Sequence, residues 1–179
     1  KGLSLSALKD NPNGVDLGPL QPSLPERLFT SDGKINLAPR RYLDDLGRLR
    51  DTLAAPGGDS LQLIGRRHVR SNNSWMHNSQ RLVKGKDRCT LMIHPRDASR
   101  LGLQAADSVE IASESGRIVL PVEITEDLMP GVVSIPHGWG HDRDGTGQSV
   151  ATAHAGASIN DVLSDGDIDP LSGTSVLNG

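Results

Sequence analysis

Between residues 89 and 124, apolar side chains return at every second position. Cys89, Leu91 and Ile93 alternate with Thr90 and Met92, Val109 and Ile111 flank Glu110, and Ile118, Leu120, Val122 and Ile124 continue the pattern. A repeat of two puts alternate side chains on one face of an extended backbone, so these runs are predicted strands with one buried face. Glu114-Ser115-Gly116 between the last two predicts a hairpin turn. Leu61 to Ile64 and Gly131 to Ile135 read as further short strands, and Pro95 opens a one- or two-turn helix that Gly102 closes. Short strands, one or two short helices and long polar loops predict a mainly β domain, a compact barrel whose loops carry the function. With 35% hydrophobic and 2% aromatic residues, the core must come mainly from Val, Leu, Ile and Ala. That supply suits one domain, predicted over residues 59–179.

Residues 1–58 have a different character. They hold six of the eleven prolines among Asp, Asn, Gly and Ser, which reads as an irregular connector, mobile when nothing receives it. Leu28 to Pro39 suggests two extended pieces about the Asp32-Gly33 turn. Tyr42, Leu46, Leu49 and Leu53 then share one helical face, which predicts a helix over 41–54 with an Asp44–Arg48 ion pair, ended by Ala55-Pro56-Gly57-Gly58.

The net charge of −3 is unevenly spread. From Arg66 to Arg100 there are nine Lys or Arg against two Asp, leaving −10 elsewhere. A basic segment in an acidic chain points to a local anionic partner rather than to nucleic acid; a solvated positive face is the plainer reading of charge alone. Cys89 is the only cysteine, so the chain cannot form a disulfide or a cysteine-held cluster by itself. No apolar run approaches the roughly 18 residues that span a bilayer, and no membrane partner is expected. Lys1 in place of Met reads as an excised piece of a larger protein, and with no signal peptide visible a cytoplasmic location is the expectation.

Three polar segments carry chemistry. The first, Gly65 to Asn78, packs Arg66, Arg67, Arg70, His68, His77, Asn72, Asn73, Ser71 and Ser74 around Trp75. Arginine forks suit phosphate or polar ring edges, Asn offers donor and acceptor to a heterocycle edge, and Trp75 offers a flat wall. A loop pinned by its own Asn side chains is the competing reading. The second segment is His137-Gly138-Trp139-Gly140-His141, whose glycines allow close backbone approach. The two histidines four apart raise a metal site, but the glycines disfavour a helix and no third ligand is near, so no metal ligand is assigned. The third comprises Asn160 and Asp161, then Asp169 and Asn178, where carboxylates and amides could read a guanine or pterin; an acidic loop and ragged end would look the same. No nucleophile–base pair stands out, no catalytic residue is assigned, and Cys89 reads as a small buried side chain.

The run Ile64 to Asn78 resembles the opening of the molybdopterin-dinucleotide-binding domain that ends the large subunits of the dimethyl sulfoxide reductase superfamily. His94-Pro95-Arg96-Asp97-Ala98, Leu101-Gly102-Leu103, Asp107-Ser108-Val109, Ser113 to Gly116, Pro130 to Val133, Pro136 to Gly140, Asp169 to Gly173 and Leu177 to Gly179 follow in the family's order. Thr30 to Leu37 is similar to the segment leading into that domain. The resemblance implies a double-psi β-barrel that holds molybdopterin guanine dinucleotide, with molybdenum or tungsten kept by the parent enzyme, of formate dehydrogenase-like type. It implies Arg66, His68, Arg70, Ser71, Asn72, Asn73, Ser74, Trp75 and His77 on the cofactor, joined by His137, Gly138, Trp139, His141, Asn160, Asp161, Asp169 and Asn178. The remaining domains of the parent are its expected partners, and the isolated chain is expected to be inactive. The alternatives are a stand-alone double-psi barrel that binds protein or peptide, which has no use for the Arg-Ser-Asn-Asn-Ser-Trp run, and a small histidine-dependent metal hydrolase.

Overall fold

The computed structural model describes residues 3–55 and 58–176. The chain divides into two compact units, Lys1–Leu53 and Ala54–Gly179.

In the first unit, helix α1 (Leu5–Asp10) starts where the Ser4 hydroxyl accepts the Ala7 N–H. The predicted single helix over 41–54 is instead two, α2 (Arg40–Asp44) and α3 (Leu46–Ala54), interrupted at Asp45. The side-chain pairs explain the break. Arg40 pairs with Asp44 at 2.8 Å, and Asp45 turns to Arg48 at 2.6 Å, so each helix has its own ion pair and the predicted Asp44–Arg48 pair does not form. Around Gly33 (φ +63°) the chain makes the expected turn, the Gly33 N–H donating to the Thr30 carbonyl, but the flanking pieces form no ladder. None of the three helices contains a buried residue.

The second unit is mostly sheet. Strands β1 (Gln62–Arg66), β2 (Leu91–Ile93), β3 (Ser108–Ala112), β4 (Arg117–Ile124) and β5 (Val132–Pro136) lie in the order β1-β5-β2-β4-β3. β1 with β5 and β2 with β4 are parallel, while β2 with β5 and β3 with β4 are antiparallel. The hairpin pairs Val109 with Leu120 and Ile111 with Ile118, as the alternation requires. Leu91 sits beside Val122 and Ile93 beside Ile124, so the inward faces of β2 and β4 coincide. Leu63, Leu91, Ile93, Leu120, Val122, Val133 and Ile135 form the core, which Trp139, Ile159 and Val162 extend into the loops. Helix α5 (Pro95–Leu101) ends at Gly102, φ +69°. It is fixed to the start of β5 because the buried Asp97 carboxylate accepts the Gly131 N–H at 2.7 Å.

Two expectations change. Besides α5, the unit has two further short helices, α4 (Gln80–Val83) and α6 (Ser149–Ala153), and a 3-10 turn at Ile159–Val162. The sheet is also not a closed barrel: β1 and β3 are its ends, with no ladder between them among the described residues. A mainly apolar cavity of about 640 Å³, lined by Leu63, Ile93, Val109, Ile111 and Val133 among others, opens on that side of the core. Among the described residues, no helix is long and apolar enough to cross a membrane.

Candidate functional site

The segment after β1 is a string of tight turns. The Ser71, Trp75 and His77 N–H groups donate to the His68, Asn72 and Ser74 carbonyls, and Asn72 and Asn73 take positive φ (+41° and +65°). Asn is one of the few side chains that tolerates this region, which explains two of them in sequence here. The loop turns most of its side chains outward. Arg67, Arg70, Asn72 and Asn73 are exposed at its surface, as are Val69 at 91% and Trp75 at 81%. Arg67 donates to the Asn73 side-chain oxygen, leaving the rest of its fork at the surface.

Arg66 behaves differently. Its guanidinium turns into the sheet and donates to the Ser134 carbonyl at 2.5 Å, the Thr90 carbonyl at 2.8 Å and the Thr90 hydroxyl at 2.9 Å. Burial lowers its pKa, with Glu123 opposing that shift. Arg66 ties β1, β5 and the approach to β2 together.

The second polar segment leaves β5 directly against the first. The His137 ring lies where a side chain on Gly65 would have to go, and a Cβ on Gly138 (φ +89°) would overlap the Asn73 carbonyl oxygen. Gly140 (φ +100°) meets Ser158 in the same way on the other side. Trp139 is buried, with its ring centroid 4.0 Å from that of the fully buried His77. His77 Nδ1 and His141 Nε2 are 2.7 Å apart, a hydrogen bond in which either ring donates according to its tautomer. Burial, then the neighbouring His141 and Arg88, push the His77 pKa down to about 4, so it is a neutral ring at pH 7. Burial also lowers His141, His137 and His68; for His137 Arg67 adds to the effect, and for His68 Arg88, Arg70 and Arg66 do. His137 and His141 therefore serve different neighbours, and no group of three or more His, Cys, Asp or Glu that could hold a metal occurs among the described residues.

The third segment closes the other flank. The Gly140 and His141 N–H groups both donate to the Ala155 carbonyl, and the Ala157 N–H reaches the Cys89 sulfur at 3.3 Å. Cys89 is buried, and burial raises its thiol to about 11, so it acts as packing and as an acceptor. Asn160 is exposed on the 3-10 turn beside Asp161, which pairs with Arg143. Asp169 is further along the chain, its carboxylate accepting the Ser172 N–H and hydroxyl within a local turn. Asn178 lies outside the described residues.

Reasoning from sequence overlooked several residues here. Asn78 accepts the Val150 and Ala151 N–H groups with its side-chain oxygen and so binds the start of α6 to the first loop. Arg88 donates to the Leu82 carbonyl at 2.6 Å, while its Nε is buried without a partner. The Trp139 indole nitrogen and the Ser71 hydroxyl, both among the residues expected at the site, are in the same condition.

Residues 61–179 match the sequence profile of the molydopterin dinucleotide binding domain. The chain belongs to that family. Relatives of the domain occur in the tetrathionate reductase of Salmonella typhimurium, one of whose chains is 39% identical over 31% of this chain and 6% of its own length. The molybdopterin-containing component of the arsenate respiratory reductase of Chrysiogenes arsenatis is 29% identical over 68% of this chain and 15% of its own length. Dimethyl sulfoxide reductase of Escherichia coli is 31% identical over 47% and 10%. Among solved structures, acetylene hydratase from Pelobacter acetylenicus shares the fold, with a TM-score of 0.57 and 23% identity over 76% of this chain and 18% of that one. The chain thus spans a small part of each relative. It is a molybdopterin-dinucleotide-binding domain similar to those of dimethyl sulfoxide reductase-family enzymes.

Proposed function

We propose that the loops at 66–77, 137–141 and 155–161 jointly hold a pterin–guanine dinucleotide whose molybdenum or tungsten belongs to a larger oxidoreductase. The observation that carries this reading is the contact between Gly138 and the Asn73 carbonyl, which joins two polar loops more than sixty residues apart in sequence. The donor set fits such a group. Arg67 and Arg70 present forks at the surface suited to phosphate, and Asn72 and Asn73 present amides suited to a pterin or guanine edge. The unpartnered Trp139 and Ser71 polar atoms lie in the same region. When bound, the metal–pterin unit supplies the electron-transfer chemistry, and the chain's part is to bind, orient and shield it.

Within that surface, Arg70, His68, Asn72, Asn73, Ser74 and Trp75 face the ligand from one side. His137, Gly138 and His141 face it from the second segment, and Asn160 and Asp161 from the third, with Asp169 following from the closing motif. Arg66, Ser71, His77 and Trp139 set the shape from beneath. The double-psi barrel belongs to the same reading and draws support from the two parallel ladders, β1 with β5 and β2 with β4. Tetrathionate, arsenate and sulfoxide appear in the names of three relatives that carry this domain. The reading therefore commits to the cofactor and the parent's other domains as partners, and a formate dehydrogenase-like substrate is one of several this domain would serve.

The test is cofactor retention. In the enzyme that carries this domain, Arg70→Ala with Asn73→Ala should lower metal and pterin content several-fold after gel filtration, each lost charge-assisted bond being worth about 1.5–3 kcal/mol. Arg70→Ala alone should change thermal stability little because that side chain is exposed, whereas Asn73→Ala also strains a positive-φ position, by about 1–2 kcal/mol, which Asn73→Gly avoids. Full metal and pterin content in the double variant would overturn the reading.

A further inference from the structure

Helix α6 has no side-chain cap of its own, because Gln148 at its start makes no such bond. The first N–H groups of a helix need acceptors from outside it, and five residues do not hold a helix together in water. Here the acceptor comes from the end of the first polar loop. The Asn78 side-chain oxygen takes the Val150 N–H at 3.1 Å and the Ala151 N–H at 3.2 Å. Asn is among the best capping side chains, but a cap ordinarily stands beside its own helix, and Asn78 is 72 residues before Val150. Ala151 is fully buried, so its N–H cannot turn to water instead. Between His141 and α6 the chain is irregular and mostly exposed, and Gly145 and Gly147 meet no neighbour there, so that stretch does not place the helix. Just past α6, the Ala155 carbonyl accepts the Gly140 N–H at 2.8 Å and the His141 N–H at 3.2 Å. Gly156 follows in close packing, since a Cβ there would collide with Cys89 and the Trp139 ring. The His141 ring then returns to His77, the residue before Asn78, at 2.7 Å. Two neighbouring residues of one loop therefore hold both ends of a closed circuit, which runs from Asn78 through α6 and Ala155 to Gly140 and His141, and back to His77.

We infer that Asn78 is a positioning residue for the 137–141 loop: by capping α6 it holds the Ala155 carbonyl where the Gly140 and His141 backbone binds it. What the loop then meets rests on the proposed function; the coupling stands on these hydrogen bonds alone. Asn78 is itself exposed, so shortening its side chain removes an acceptor and little packing.

The experiment is native-state amide exchange in the 179-residue chain, resolved residue by residue by NMR. Asn78→Ala should speed exchange of the Gly140 and His141 amides roughly tenfold, the equivalent of about one hydrogen bond, together with those of Val150 and Ala151. The amides of β2 and β4 should keep their parent rates. Asn78→Asp retains the acceptor and places a negative charge at the start of the helix, so it should restore slow exchange at all four positions. Thr152→Pro attacks the circuit elsewhere. It removes the N–H that donates to the Gln148 carbonyl at 2.8 Å, at an exposed side chain, and should free Gly140 and His141 although Asn78 is intact. Faster exchange at Val150 and Ala151 alone, an equal rise across the sheet, or no rescue by Asn78→Asp would overturn the role. Metal and pterin content of the parent enzyme keeps it apart from the proposed function. If Asn78→Ala frees Gly140 and His141 while that content stays full, Asn78 positions the loop and the loop's part in holding the cofactor is contradicted. If the two amides stay slow while Arg70→Ala with Asn73→Ala empties the enzyme, the positioning role falls and the cofactor reading stands.

Discussion

Gly138 sits at φ +89° with the Asn73 carbonyl where its side chain would be. Alanine there meets two penalties, a left-handed backbone and an overlap with another loop's backbone, and the neighbour that must yield is itself a positive-φ turn. Gly138→Ala should therefore cost about 2–4 kcal/mol in denaturant unfolding and separate the two loops. A variant as stable as the parent would show that the loops do not depend on each other. His77 gives a pH dependence of definite sign. Its pKa falls to about 4 in the fold, below the unfolded value near 6.5, so between those values the unfolded chain binds more protons. Its contribution is complete above pH 6.5 and is lost as the pH falls toward 4, with a slope of up to about 1.4 kcal/mol per pH unit. His141, His137 and His68 shift in the same direction and add to it. Urea unfolding at pH 7 and pH 5 should show lower stability at pH 5, and His77→Gln should flatten the difference.

Among the strands and helices, what could be read in advance followed the reach of each signal. The strands at 89–93 and the 108–124 hairpin were legible because side-chain alternation alone decides which face is buried. α5 was legible because Pro95 and Gly102 mark its two ends. α1, α4 and α6 were not, since four to six residues hold too little periodicity and depend on contacts from elsewhere, such as Asn78 at the start of α6. In the site, the crowding of Arg, Asn, Gly and Trp into two segments was visible, but the direction of each side chain was not. Arg66 and Arg67 are neighbours in the same run, yet Arg66 turns inward because the Ser134 and Thr90 carbonyls lie in its reach, while Arg67 stays at the surface. Arg66→Lys cannot span those acceptors with one ammonium and should destabilise the second unit by about 1–3 kcal/mol. The helices of the first unit bury nothing, and isolated helices of this length are marginal in water. Hydrogen exchange should find amides in α1, α2 and α3 nearly unprotected, with those of β2, β4 and β5 slowest. Slow exchange throughout α3 in the 179-residue chain would contradict this.

The molecule as a whole places positive charge around one group of loops in an acidic background and offers no metal-binding trio among its described residues. On the proposed function the cofactor carries the chemistry and this chain binds it, so the 179-residue chain should show no turnover of formate, nitrate or sulfoxide with artificial electron carriers, even with cofactor supplied. On the proposed function, three loops from distant parts of the sequence grip one ligand. Hydrogen–deuterium exchange on the parent enzyme, prepared with and without its pterin cofactor, puts that grip to the test. The cofactor should slow exchange together at 67–77, 137–141 and 155–161, leaving the hairpin turn at 113–116 unchanged. Protection absent from all three loops, or confined to one of them, would contradict the shared grip.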